Sequence, residues 1–168
     1  VLSALEQANI AFLEGKFKQA ELFGRRAIGE EAQNPKNLAL AYRIYATAAA
    51  ENAHPNAALE ALENWQSLER GVDNSRDWQD VWALAMRQLS PAEIRFRTEK
   101  VWSDQNRGLG SRNVALVFWS IEQWRAGEIG TSLDMLSVQH QLSEPVALKR
   151  LLEERLLIEL QRQPQAMA

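Results

Sequence analysis

Histidine is the side chain whose ordinary titration lies nearest neutrality, and the 168 residues contain only two, His54 and His140. An acid–base pair or a metal site would need the fold to bring both together with carboxylates. His54 stands in the turn His54-Pro55-Asn56 and His140 near the end of a predicted helix, so both are read as solvated polar residues. Cysteine is absent, which removes disulfides, thiolate nucleophiles and thiolate metal ligation. Glu30-Glu31 and Glu153-Glu154 are adjacent carboxylates, but neighbours on a helix point about 100° apart and form no dyad unaided. The expected reading is solvated faces, with ion pairs to Lys149, Arg150 or Arg155. No serine lies in a nucleophile elbow. Gly108-Leu109-Gly110 lacks both the preceding strand and the further glycine of a nucleotide-binding loop. No catalytic residue, cofactor or metal is therefore expected, and the chain is read as not an enzyme.

Charge narrows the partners. Lys and Arg number 19 against 22 Asp and Glu, a net charge of −3, which leaves no basic field to neutralise a phosphate backbone. Nucleic acid is excluded as an expected partner. With hydrophobic residues at 46% and charged residues at 24%, the composition is that of a globular chain, and its length suits one domain over 1–168. No apolar run reaches the length of a transmembrane helix, and nothing resembles a signal peptide. The chain opens on Val1 without methionine, which suggests an excised piece or a processed product, with any targeting signal, lipid anchor or companion domain cut away.

Helix signals position everything else. Leu5, Ala8, Ala11 and Phe12 recur at helical spacing up to Gly15, and Ala20, Phe23, Ala27 and Ile28 do so from Phe17 until Asn34-Pro35 breaks the run. An alanine-rich helix is predicted over 38–52, and another from Pro55 to about Leu68. Gly71 to Ser75 reads as turn chemistry. A helix bearing Trp78 and Trp82 follows over 77–89. Ser90-Pro91 with Glu93 is a capping box opening the next helix, to about Ser103. Gly108-Leu109-Gly110-Ser111 is the clearest predicted loop, before an apolar helix over 112–126 that must be buried on more than one side. A helix over 131–141 and a last one over 144–162 complete about eight or nine. The fold class is all-α.

Spacing adds a repeat. Ala8, Gly15, Ala20 and Ala27 stand seven, five and seven apart, and Ala46, Ala53, Ala58 and Trp65 keep those intervals 38 residues on (46 − 8). Small residues there let helix axes approach closely. Ser120, Gly127, Ser132 and Gln139 retain the intervals; Ala83, Ser90, Arg95 and Trp102 lose the small residues. Gly15, Phe17, Ala20, Ala27 and Pro35 resemble the tetratricopeptide repeat, a helix-turn-helix unit of 34 residues. The resemblance implies a TPR-like right-handed superhelix of antiparallel hairpins. The best hairpins are 4–35 and 38–70, with divergent ones over 77–104 and 112–141. It also implies a partner surface on the first helix of each hairpin, giving the candidate partner-binding residues Leu5, Asn9, Phe12, Arg43, Thr47, Glu51 and Trp124. In the carboxylate clamp of some family members Asn9 matches the asparagine, but Leu5 stands at the lysine and Ile44 at the next polar place. That clamp is not expected.

Trp78-Gln79-Asp80-Val81-Trp82 leading into Leu89-Ser90-Pro91, then an apolar tryptophan helix, is similar to the amino-terminal helical region of bacterial penicillin-binding-protein activator lipoproteins. That resemblance implies a periplasmic, outer-membrane-anchored location through a lipidated cysteine upstream, and a role in regulating peptidoglycan synthesis. The expected function is a non-catalytic interaction or scaffold domain whose partner is a protein, a peptide or another domain of the same chain. The alternative is a ligand- or peptide-sensing repeat of a cytoplasmic regulator. Of the six tryptophans, most are expected in the core and one or two as interface anchors.

Overall fold

Four of the helices start where a side chain offers an acceptor for their unpaired amides. In a computed structural model, which describes residues 1–138 with Glu154, Arg155 and Ile158, Ser3 caps α1 (Ala4–Leu13), its Oγ accepting from the Glu6 amide at 3.1 Å. Helix α2 spans Phe17–Glu30. Asn34 caps α3 (Pro35–Glu51) by accepting from the Asn37 amide at 3.2 Å, and Pro35 occupies the first turn, where a missing N–H costs nothing. Pro35 thus starts a helix as well as ending the preceding run, and α3 opens three residues earlier than predicted. Pro55 likewise opens α4 (Pro55–Leu68). A single 3-10 turn at Val72–Asn74 leads to Ser75, the cap of α5 (Arg76–Arg87).

The capping box at Ser90 forms as expected: the Ser90 Oγ accepts from the Glu93 amide while the Glu93 carboxylate accepts from the Ser90 amide, opening α6 (Pro91–Ser103). The loop predicted at Gly108–Ser111 is corrected. Only Gly108 lies outside the helix, in extended conformation, and α7 runs Leu109–Arg125. Glycine at the second helical position is tolerated because the first-turn amides lack intrahelical partners anyway. Helix α8 (Ile129–Val138) likewise starts two residues before its predicted beginning. The described residues therefore hold eight α-helices and no strand, and none of these helices is long and apolar enough to cross a membrane. Most of the helix predicted over 144–162 lies outside the described residues.

The chain divides into two compact units, Val1–Leu89 and Ser90–Ala168. In the first, α1 pairs with α2, α2 with α3 and α3 with α4, while α1 and α5 each also touch α3. In the second, α6 packs on α7 and α7 on α8. The two helices predicted as one hairpin over 77–104 thus belong to different units. The first core is built of alanines: Ala8, Ala20, Ala27, Ala41, Ala46 and Ala58 have no exposed surface. Gly24 carries the same logic further, since a Cβ there would lie 3.3 Å from the Tyr45 Cα and Cβ. In α7 every residue from Asn113 to Phe118 is buried, so all its sides are covered, as its composition required.

The repeat interval has a backbone cause. Gly15 (φ 71°), Ala53 (φ 61°) and Gly127 (φ 87°) are all left-handed, and each ends its helix with one hydrogen-bond pattern. The following amide reaches back to a carbonyl of the last turn, from Lys16 to Ala11 at 2.8 Å, His54 to Ala49 at 2.8 Å and Glu128 to Gln123 at 2.9 Å. Alanine bears a steric cost in that conformation that glycine avoids. Replacing Ala53 with Gly should raise unfolding stability by about 0.5–1 kcal/mol, the relief of strain less the extra chain entropy of glycine. Urea titration would show it, and an unchanged or lower midpoint would refute it.

At the places of Ala8 and Ala20 the second unit has Ser120 and Ser132, both without exposed surface. The Ser132 hydroxyl donates to the Ser120 carbonyl at 2.7 Å, while the Ser120 Oγ has no hydrogen-bond partner among the described residues. Ser120→Ala should therefore stabilise the chain by about 1 kcal/mol, whereas Ser132→Ala removes a satisfied bond and should destabilise it by a similar amount. Opposite signs in thermal denaturation are the check.

Candidate functional site

The candidate partner residues scatter over three places. Asn9 and Phe12 on α1, and Arg43 and Thr47 on α3, are all half-buried and lie on two helices in contact. Leu5 is a correction: at 8% exposure it is a core residue packed with Ala8 and Ile44, so it offers a partner little. Glu51 is exposed, but at the last turn of α3 it lines a different concavity, toward α2. Trp124 belongs to the second unit, packed against Val117, Ile129 and Leu136.

Arg43 is the best-defined of the set. Its guanidinium donates to the Asp77 carboxylate at 2.7 Å, tying α3 to α5 across the rim of a cavity of about 520 Å³. Leu40, Trp65, Leu68 and Val72 give that cavity apolar walls. The Trp65 indole N–H is occupied by the Glu69 carboxylate at 2.8 Å, and the Thr47 hydroxyl by the Arg43 carbonyl at 2.9 Å. With Arg43 paired to Asp77, what remains available is the apolar lining and the part of the guanidinium that Asp77 does not occupy, an arrangement suited to a side chain of a partner rather than to bond-making chemistry.

A second concavity, of about 610 Å³, opens between α2 and the end of α3. His54 is solvent-exposed, as the sequence suggests, but it also has a partner. Its Nδ1 donates to Glu21 Oε1 at 2.6 Å, the proton sitting on Nδ1 because a carboxylate only accepts. The Asn52 amide donates to the other Glu21 oxygen at 2.5 Å and to the Phe17 carbonyl at 3.0 Å. Both residues flanking strained Ala53 are thereby fastened to α2. Tyr45 stands in the same wall, and burial, then the Glu21 carboxylate, push its phenol above the ordinary value. It stays a protonated donor well past neutrality. Sequence gave no signal for this cluster, because Glu21 and His54 are 33 positions apart. His140 lies outside the described residues.

Of the tryptophans, Trp65, Trp78 and Trp82 are buried, Trp78 and Trp82 stacked with centroids 6.5 Å apart. Trp102, Trp119 and Trp124 are half-buried. The guanidinium of Arg112 covers the Trp102 ring at 4.8 Å and its Nε donates to the Trp102 carbonyl. No group of His, Asp and Glu among the described residues is arranged to hold a metal ion. No protein-family model matches the chain, and no curated protein or solved structure does either.

The two polar clusters should differ in energetic weight. Glu21→Ala leaves the half-buried Asn52 amide with only the Phe17 carbonyl and takes the partner from exposed His54, and should cost roughly 1–2 kcal/mol. Arg43→Ala breaks a pair between a half-buried guanidinium and an exposed carboxylate, open to solvent on both sides, and should cost under about 1 kcal/mol. Chemical denaturation of both variants decides the ranking, and equal losses would contradict it.

Proposed function

We propose that the chain is a TPR-like helical repeat module whose task is to bind a protein or peptide, with no catalytic role of its own. The observation that carries this reading is the recurrence, at Gly15, Ala53 and Gly127, of one left-handed helix stop beside buried small residues at fixed intervals. A repeat of that kind builds extended surfaces from stacked hairpins, and its usual use is recognition. The partner surface is the exposed part of α1 and α3: Asn9, Phe12, Arg43 and Thr47, with the apolar cavity beneath Arg43 as the pocket for an anchoring side chain.

The more specific assignment is to the amino-terminal module of a penicillin-binding-protein activator lipoprotein, working in the periplasm. The Trp78–Trp82 segment running into the capping box at Ser90 supports it, together with the apolar helix α7. It requires the gene to encode a lipid-modified cysteine before Val1 and a periplasmic-binding-protein-like α/β domain after this chain. A gene with neither would remove this assignment and leave the general one standing.

The general reading is tested on the surface itself. In quantitative pull-downs with the purified chain, Phe12→Ala and Arg43→Glu should each weaken the specific partner roughly tenfold or more, the scale of losing an aromatic or arginine anchor. Circular dichroism should remain that of the unaltered chain. Retention of every specific partner by both folded variants would show that this surface is not the binding site.

A further inference from the structure

Helix α1 is apolar on the side turned away from its core as well as on the side turned toward it. Ala4, Leu5, Ala8 and Ala11 are buried in the first unit, whereas Leu2, Glu6, Ile10 and Leu13 fall at spacings of four, four and three along the opposite side. Leu2, Ile10 and Leu13 are 51%, 44% and 74% exposed. Leu2 precedes the helix but is held to it, since the Gln7 side-chain amide donates to its carbonyl at 2.9 Å. A helix with apolar residues on both sides is ordinarily covered on both, as α7 is.

The repeat indicates what covers such a face. At the interval of 38 residues, Leu2, Ser3, Glu6 and Ile10 correspond to Leu40, Ala41, Ile44 and Ala48 of α3. Those four residues pack α3 on the first hairpin. The exposed face of α1 is therefore the one on which this repeat accepts other helices. Its chemistry differs in the middle, where Ser3 and Glu6 replace Ala41 and Ile44. A carboxylate there suits an interface that forms and separates, whose composition is more polar than that of a fixed core. Glu6 has no ion pair among the described residues, and Lys16, beyond the end of the stripe, is paired with Glu14 at 2.9 Å. A second copy laid on this stripe would add a carboxylate and no cation, so the complement is a helix of different sequence.

We propose that this face of α1 docks one amphipathic helix of a partner protein, whose apolar side chains cover Leu2, Ile10 and Leu13 and whose lysine or arginine meets Glu6. The stripe is about 16 Å long, three turns of such a helix. It lies apart from Arg43 and its cavity, and either site can hold if the other fails.

The test immobilises the full chain and selects from a displayed library of single amphipathic helices with randomised side chains. Selected helices should carry a basic residue between apolar ones at helical spacing. Leu13→Asp and Glu6→Lys should each weaken them about tenfold or more, with circular dichroism unchanged because both side chains are exposed. Exchanging the basic residue of a selected helix for glutamate should restore its binding to the Glu6→Lys variant, which a merely structural role for Glu6 would not produce. Arg43→Glu should leave these helices bound. Their release by that change alone would place them on the other surface and overturn this site. It is overturned as well if no helix is selected, if either Leu13→Asp or Glu6→Lys binds as the unaltered chain does, or if sedimentation shows the chain pairing with itself through Leu13.

Discussion

Close approach of helix axes is the constraint on which the first unit depends. Where Ala8, Ala20, Ala27, Ala46 and Ala58 lie without exposed surface, helices approach closely, and at Gly24 even a Cβ would lie 3.3 Å from the Tyr45 Cα and Cβ. Side chains that small bury little apolar area each, so cohesion has to come from dense packing over long contacts. Close axes also restrict the connections. A helix that leaves its partner at this separation must reverse within two or three residues, and the left-handed stop at Gly15 and Ala53 does so while satisfying the last carbonyls.

The second stop shows how a local conformation becomes a site. With alanine in place of glycine the left-handed geometry is strained, and it is held because its neighbours are anchored from outside the turn: Asn52 to Phe17 and Glu21, His54 to Glu21. Those anchors draw both oxygens of one carboxylate to the turn, so the strained conformation at Ala53 and the attachment of the end of α3 to α2 rest on the same side chain.

What was legible in the sequence is what local periodicity encodes. The all-α class, the capping box at Ser90, the proline start at Pro55, the intervals of the repeat and the burial of α7 all rest on signals confined to one helix or one turn. The failures have long-range causes. Leu5 was projected onto a surface, yet the packing of α1 on α3 covers it. Glu51 follows the turn toward α2 instead of the surface chosen for it. His54 has a partner 33 residues away, and Arg43 one 34 away. Neither spacing is a multiple of anything a single helix repeats. The loop at Gly108 was misjudged for another reason: glycine is a breaker inside a helix, but at its first turn the lost propensity is small.

The second unit keeps the spacing while altering the chemistry. Ser120 and Ser132 take the alanine places and still bury completely, and Gly127 keeps the left-handed stop. Serine is close enough to alanine in size to preserve the axis separation, but each buried hydroxyl demands an acceptor. Ser132 finds one in the Ser120 carbonyl, which makes the second contact between stop-linked helices directional where the first is purely steric. Buried Glu122 and Thr98 are satisfied within their own helices, by Arg125 at 2.8 Å and by the Ile94 carbonyl at 2.6 Å, so they are buried polar groups that leave the register between helices to Ser132. Polar groups inside a helical core cost stability unless fully paired, and in return they restrict the packing to one register. The first unit sets its helix separation through alanine and glycine, with side-chain bonds such as Asn52 to Phe17 and the Trp78 indole to the Leu62 carbonyl fixing the register beside them. In the second, hydrogen bonds share that task, so substitutions among its buried polar residues should loosen the packing where equivalent changes among the alanines of the first unit would force helices apart.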